Sequence, residues 1–71
     1  MFKESTIKVL NNTPIVKLYN FCCTSQYIVY NEVTMSAIYF LMKYNENEAR
    51  ICLNKLLELY INEEIILKEF N

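Results

Sequence analysis

Glycine, aspartate and histidine are absent from this 71-residue chain, and proline occurs once. Without glycine there is no Gly-bearing turn of the kind that closes a two-residue β-hairpin. Without histidine or aspartate, acid–base chemistry would fall to eight scattered glutamates or to Lys and Tyr, so no enzymatic site and no small-molecule substrate are expected. Cysteines at 22, 23 and 52 are odd in number and lack Cys-x-x-Cys spacing, which argues against a disulfide framework, a zinc finger or any metal site. Reduced thiols in the core are expected, although Cys22-Cys23 with Cys52 as a third sulfur is the alternative, a thiol sensor. Reactivity would need a positive, partly exposed setting that the residues around Cys22 do not supply. No run approaches the ~18 apolar residues of a membrane span, and the N-terminus lacks a signal-peptide core. The expectation is a cytoplasmic protein with no cofactor and no membrane partner.

What is present is apolar and nearly neutral. Hydrophobic residues make up 54% of the chain and aromatics 14%, more than a monomer of this size easily hides, so a homodimer or another protein partner is expected. A chain this short buries only ~60–65% of the surface its unfolded form exposes. Seven basic and eight acidic residues give a net charge of −1, which disfavours sequence-blind attraction to phosphate. Any nucleic-acid contact must be local. Lys3, Lys8 and Lys17 sit towards the start, whereas Glu58, Glu63, Glu64 and Glu69 make the C-terminal edge acidic. Nine Asn, six Lys and six Tyr are residues of AT-rich codons, an association with a virus, a mobile element or an AT-rich microbe.

Read in order, residues 1–12 alternate apolar positions at Ile7 and Val9 and suggest a short strand or extended arm, ended by Asn11-Asn12. Thr13-Pro14 predicts a helix start, with Thr13 as cap and a helix over 14–23. Thr24-Ser25-Gln26 reads as a turn, and 27–33, rich in β-branched and aromatic residues, as a strand. Thr34 can cap a helix over 34–44 that carries Ile38 and Met42 inward, with a turn at Lys43-Tyr44-Asn45. A further helix over 46–60 repeats apolar residues at Ala49, Leu53, Leu56 and Tyr60, and Asn45 with Glu48 has capping-box spacing. The last segment extends that helix or forms a strand; a break near Ile61-Asn62 and a strand over 64–70 is the preferred reading.

The capped helix, short turn and second helix with small, Leu and Leu at Ala49, Leu53 and Leu56 resemble the winged helix-turn-helix superfamily of MarR-like and ArsR-like regulators, over about residues 14 to 68. Tyr39 stands where that superfamily favours Ala, and Lys43 where it often has Gly. The resemblance implies an α+β fold, a single reduced winged helix-turn-helix domain in the order (β)-α-β-α-α-β with little or no wing. It also implies a small transcriptional regulator that binds double-stranded DNA with its second helix. Asn47, Arg50, Ile51 and Asn54 would then enter the major groove, where Arg bridges guanine edges, Asn adenine edges and Ile a thymine methyl, with Lys43, Lys55 and Ser36 beside the backbone.

Set against this is a solvated helix face on which Glu46, Glu48 and Glu58 are ordinary neighbours of Arg50 and Lys55. A protein-interaction module of the same fold, such as a small viral or mobile-element inhibitor or adaptor, is the competing function. A single-strand stacking platform is a further reading of the aromatics, but Tyr39, Phe40 and Tyr44 are expected to pack against Tyr19 and Phe21. A homodimer is expected to use Phe2, Ile7 and Val9 with Ile66 and Phe70, covering exposed strand edges and leaving Arg50 and Asn54 free.

Overall fold

The computed structural model describes all residues, Met1–Asn71, and contains five α-helices and no strand. They are α1 (Glu4–Asn12), α2 (Ile15–Thr24), α3 (Glu32–Tyr44), α4 (Glu46–Tyr60) and α5 (Glu63–Phe70). The α+β winged-helix expectation is therefore corrected: all three segments read as extended arm or strand are not strands, and there is no sheet on which a wing could grow.

Each correction has a local cause. In residues 1–12 the alternation of Ile7 and Val9 is overruled by Phe2, Thr6, Leu10 and Thr13, which are buried at helical spacing. Ile7 and Val9 flank that stripe and are half-buried. The segment 27–33 has no second strand to pair with. Only Ile28 is buried within it, while Tyr27, Val29, Tyr30 and Val33 stay exposed. Asn31 ends it by capping α3, its side-chain oxygen accepting from the amides of Val33 and Thr34 at 3.0 and 3.2 Å, so α3 starts two residues before the expected Thr34 cap. In 64–70 the side chain of Asn62 accepts from the Ile65 amide at 3.1 Å, and a helix follows with Ile66 fully buried. Capping overrides the β propensity of the Ile pair, as tertiary context commonly does.

Two further corrections concern caps. Thr13 does not cap α2; its hydroxyl donates to the Val9 carbonyl at 2.8 Å and closes the end of α1 instead. Lys43 and Tyr44 belong to the last turn of α3, which leaves Asn45 as the entire link to α4. Asn45 reverses the chain in an extended conformation, φ −152° and ψ 92°, and its side chain accepts from the Glu48 amide at 3.2 Å.

The core is assembled around α4, which packs on α3 and α2, while α1 packs on α5. Ala49, Leu53 and Leu57 are fully buried on α4, meeting Leu10, Leu18, Met35, Ile38 and Ile66 from the other helices. Each fully buried Leu contributes ~1.5–3 kcal/mol relative to an exposed one. Leu57, rather than the expected Leu56 and Tyr60, completes the inward face; Leu56 is half-buried and Tyr60 exposed. No helix is long and apolar enough to cross a membrane.

Candidate functional site

The residues expected to read DNA do not share one surface. Asn47, Ile51 and Lys55 are exposed on α4, and Lys43 and Ser36 are exposed on α3. Arg50 is turned inward. Its Nη1 donates to the carbonyls of Leu10 and Thr13 at 2.9 and 2.8 Å, and its Nη2 lies 3.6 Å from Glu46. The guanidinium thus ties α4 to the C-terminal end of α1, where helix carbonyls lack partners and a cation is favoured. Asn54 is half-buried, with its side-chain oxygen enclosed and unpartnered.

These contacts define how α1 lies along α4. Arg50 reaches Leu10, while Glu58 at the other end accepts from the Phe2 amide at 3.4 Å. These two ties hold the N-terminal segment to α4. Thr6 Oγ1 and Asn54 Oδ1 are the two buried side-chain polar atoms without a hydrogen-bond partner. This face of α4 is a polar seam inside the protein. The expected dimer residues are also committed to the monomer. Phe2 and Ile66 are buried, Ile7 and Val9 half-buried, and the Phe70 ring meets Phe21 edge-on at 5.2 Å with the Lys17 ammonium 5.7 Å from its centre.

The opposite flank of α4 carries the one concave surface. An open groove of about 430 Å³ runs between α3 and α4, and seven of its nine lining residues are hydrophobic. From α3 it is lined by Val33, Thr34, Ala37, Ile38 and Leu41. From α4 it is lined by Cys52, Lys55, Leu56 and Leu59. Val33 begins α3 and Leu59 nearly ends α4, so the two helices run side by side as an antiparallel hairpin. Lys55 is the only charged group in the lining and has no ion-pair partner in the chain.

The reason the groove is apolar lies in α3. Among its 13 residues only Glu32, Thr34, Ser36 and Lys43 are polar. Met35 and Ile38 are buried in the core, yet Val33, Ala37, Phe40, Leu41 and Tyr44 form a second apolar stripe at helical spacing on the outward side. Val33 is 80% exposed, Leu59 76%, Tyr44 73% and Phe40 61%. Phe40 and Tyr44 stack on each other at 4.5 Å rather than on Tyr19 and Phe21; of the expected aromatic contacts only Tyr39 to Tyr19, at 6.0 Å, is formed. Sequence reasoning missed this stripe although its signal was present, because the β-rich reading of 27–33 removed Val33 from the helix.

Cys22, Cys23 and Cys52 are free, and burial, followed by the neighbouring Cys23, pushes the Cys22 thiol up to about 12. A thiol so held is a poor nucleophile at neutral pH. The Tyr19 hydroxyl is also pushed up to about 12, chiefly by its hydrogen bond with Cys23. No three His, Cys, Asp or Glu side chains converge. Comparison with protein-family models, curated proteins and solved structures finds no match.

Proposed function

We propose that the protein is a small, non-enzymatic, cofactor-free protein-interaction module that docks a helix of a protein partner in the groove between α3 and α4. The observation that carries this reading is the second, outward apolar stripe of α3. Apolar helix surface is ordinarily buried, and of the two apolar stripes of α3 one is covered by the core while the other is open. Recognition of an amphipathic helix by such a groove works through apolar anchors one and two turns apart, and Lys55 supplies a single cation to match a flanking carboxylate. Three free thiols are compatible with action in a reducing cytoplasm.

The DNA-binding reading loses its guanine-reading side chain, because the Arg50 guanidinium is already bonded to two backbone carbonyls. Lys43, Asn47, Ile51 and Lys55 remain exposed, so the test must let DNA compete. Backbone amide shifts are followed while the protein is titrated with a synthetic amphipathic helix bearing leucines at i, i+4 and i+7 flanked by glutamates, and separately with mixed-sequence duplex DNA at physiological salt. The expected result is saturable peptide binding, with shifts at Val33, Ala37, Cys52 and Leu59, and no saturable response to the duplex. Saturable shifts at Lys43, Asn47 and Lys55 with the duplex, and none with the peptide, would overturn the proposal in favour of DNA.

A further inference from the structure

The groove is flanked by a charge pattern that says what fits it. On α4, Cys52, Lys55 and Leu59 line the groove, and Glu48, one turn before Cys52, continues the same stripe. Glu48 and Lys55 are both exposed, of opposite sign, and unpaired in the chain, whose one ion pair joins Arg50 to Glu46. They stand seven residues apart, two helical turns, with Ile51 and Cys52 at the midpoint.

A pattern of that kind is complementary to its own copy. If a second α4 lies antiparallel across the first about a two-fold axis between Ile51 and Cys52, Glu48 faces the partner's Lys55 and Lys55 faces the partner's Glu48. One operation satisfies both charges twice, as an isologous interface requires. Leu59, 76% exposed at the rim of the groove, is then covered along with it. A net charge of −1 leaves no bulk repulsion against self-association.

Resting on the docking role of the groove, we infer that its occupant is a second copy of this chain: the α4 helix of one protomer seats in the α3–α4 groove of the other, antiparallel, with reciprocal Glu48–Lys55 pairs around a two-fold axis at Ile51 and Cys52. This places the homodimer contact away from Phe2, Ile7, Val9, Ile66 and Phe70, of which Phe2 and Ile66 lie in the monomer's own core and Ile7 and Phe70 pack against it.

The geometry makes a demanding prediction for two charge reversals. Glu48→Lys gives a chain with lysine at both positions and Lys55→Glu one with glutamate at both, so each repels itself twice across the dyad. Mixed in equal amounts they attract twice. Sedimentation equilibrium of the full chain at micromolar concentration is expected to show a wild-type dimer. Self-association of each single variant should weaken by roughly tenfold or more, and the mixture should recover a dimer containing one chain of each. The double variant Glu48→Lys with Lys55→Glu should recover it as well. Because recovery needs both variants folded, it also serves as the folding control. A short bismaleimide should join two wild-type chains, the product being lost in Cys52→Ser and kept in Cys23→Ser.

A monomeric wild type overturns the inference, and peptide binding by that monomer would leave the docking role standing. A dimer indifferent to both reversals, or one that the mixture fails to restore, overturns the two-fold geometry. A monomer that binds no peptide overturns both readings.

Discussion

Two flanks of the same helix carry opposite chemistry in the opposite places. Towards α1, α4 presents Arg50 and Asn54, half-buried polar groups drawn into a seam, with the exposed Glu58 at its end. Towards α3 and outward it presents Cys52, Leu56 and Leu59, an apolar edge left open. An ordinary amphipathic surface helix does the reverse. The inward Arg50 is tolerated because its guanidinium finds two backbone carbonyls, whereas on the other edge Cys52 and Leu56 are only partly covered by the core and Leu59 is left exposed. The seam therefore serves the fold, and the edge is what remains for binding.

Removing what both flanks share should have the largest effect. Leu53 is fully buried between them, and Leu53→Ala is expected to destabilise by about 2–5 kcal/mol. For a domain of this size, with ~4–8 °C per kcal/mol, that is enough to unfold much of the protein in a thermal melt. A loss below about 1 kcal/mol would mean that α4 is not the centre of the core.

Breaking the seam comes next. Arg50→Ala removes two charge-assisted hydrogen bonds to the end of α1 and should cost about 2–3 kcal/mol in urea titration. Were Arg50 a DNA contact instead, stability would hardly change.

The third effect follows from the Cys22 thiol, raised by burial from 9.0 to about 12. Its neutral form is favoured by folding. Below pH 9 the thiol is protonated in both states and its contribution is complete; as pH rises from 9 towards 12 the unfolded chain releases the proton first and stability falls. Thermal melts across that window should show a decline with a slope of at most ~1.36 kcal/mol per pH unit from this group. In Cys22→Ala the decline should be shallower, and an unchanged slope would assign it to other groups.

A smaller change sharpens the comparison. Thr6 carries a fully buried hydroxyl without a hydrogen-bond partner, so Thr6→Val should raise the thermal midpoint, by about 1 kcal/mol of stability, because an unsatisfied buried hydroxyl is replaced by a methyl group of similar shape. A fall of similar size would show that the hydroxyl is hydrogen-bonded across the seam.

The smallest stability effect belongs to the open edge. Val33→Glu and Leu59→Glu alter exposed side chains of the groove lining and should leave monomer stability within about 0.5 kcal/mol, measured by urea titration in dilute solution. The same variants should abolish association through the groove, measured by sedimentation. If instead they unfold the monomer, the edge is part of the core and the contrast between the flanks fails.

Much of this architecture was readable residue by residue. The period of Ala49 and Leu53 with the Asn45–Glu48 spacing marks a helix over 46–60, and a helix with those bounds, capped by Asn45, is present. The break at Ile61-Asn62 is likewise visible in the chain and coincides with the Asn62 cap. The winged-helix resemblance rested on that same pair of helices and misled because Ala, Leu and Leu at such spacing suits any helix with one buried stripe. The strands expected over 27–33 and 64–70 came from β-branched side chains, whose preference is realised only when a neighbouring strand accepts the backbone hydrogen bonds. None is present, and Asn31, read as part of a strand, and Asn62, read only as a break, act as helix caps.

By itself the sequence determined an apolar, nearly neutral chain without histidine or the glycine of a tight hairpin turn, and with helices over the α4 segment and most of α3. Those properties follow from composition and from the 3.6-residue period, which are local. Tertiary structure alone decided that α1 and α5 are helices packed on one another, and that Arg50 and Asn54 turn into a seam. It also decided that the outward stripe of α3 joins the edge of α4 in a groove. A period says that a helix has faces, but which face meets another helix and which meets solvent depends on the partners the whole chain brings to it, and here that choice buried polar groups and exposed apolar ones.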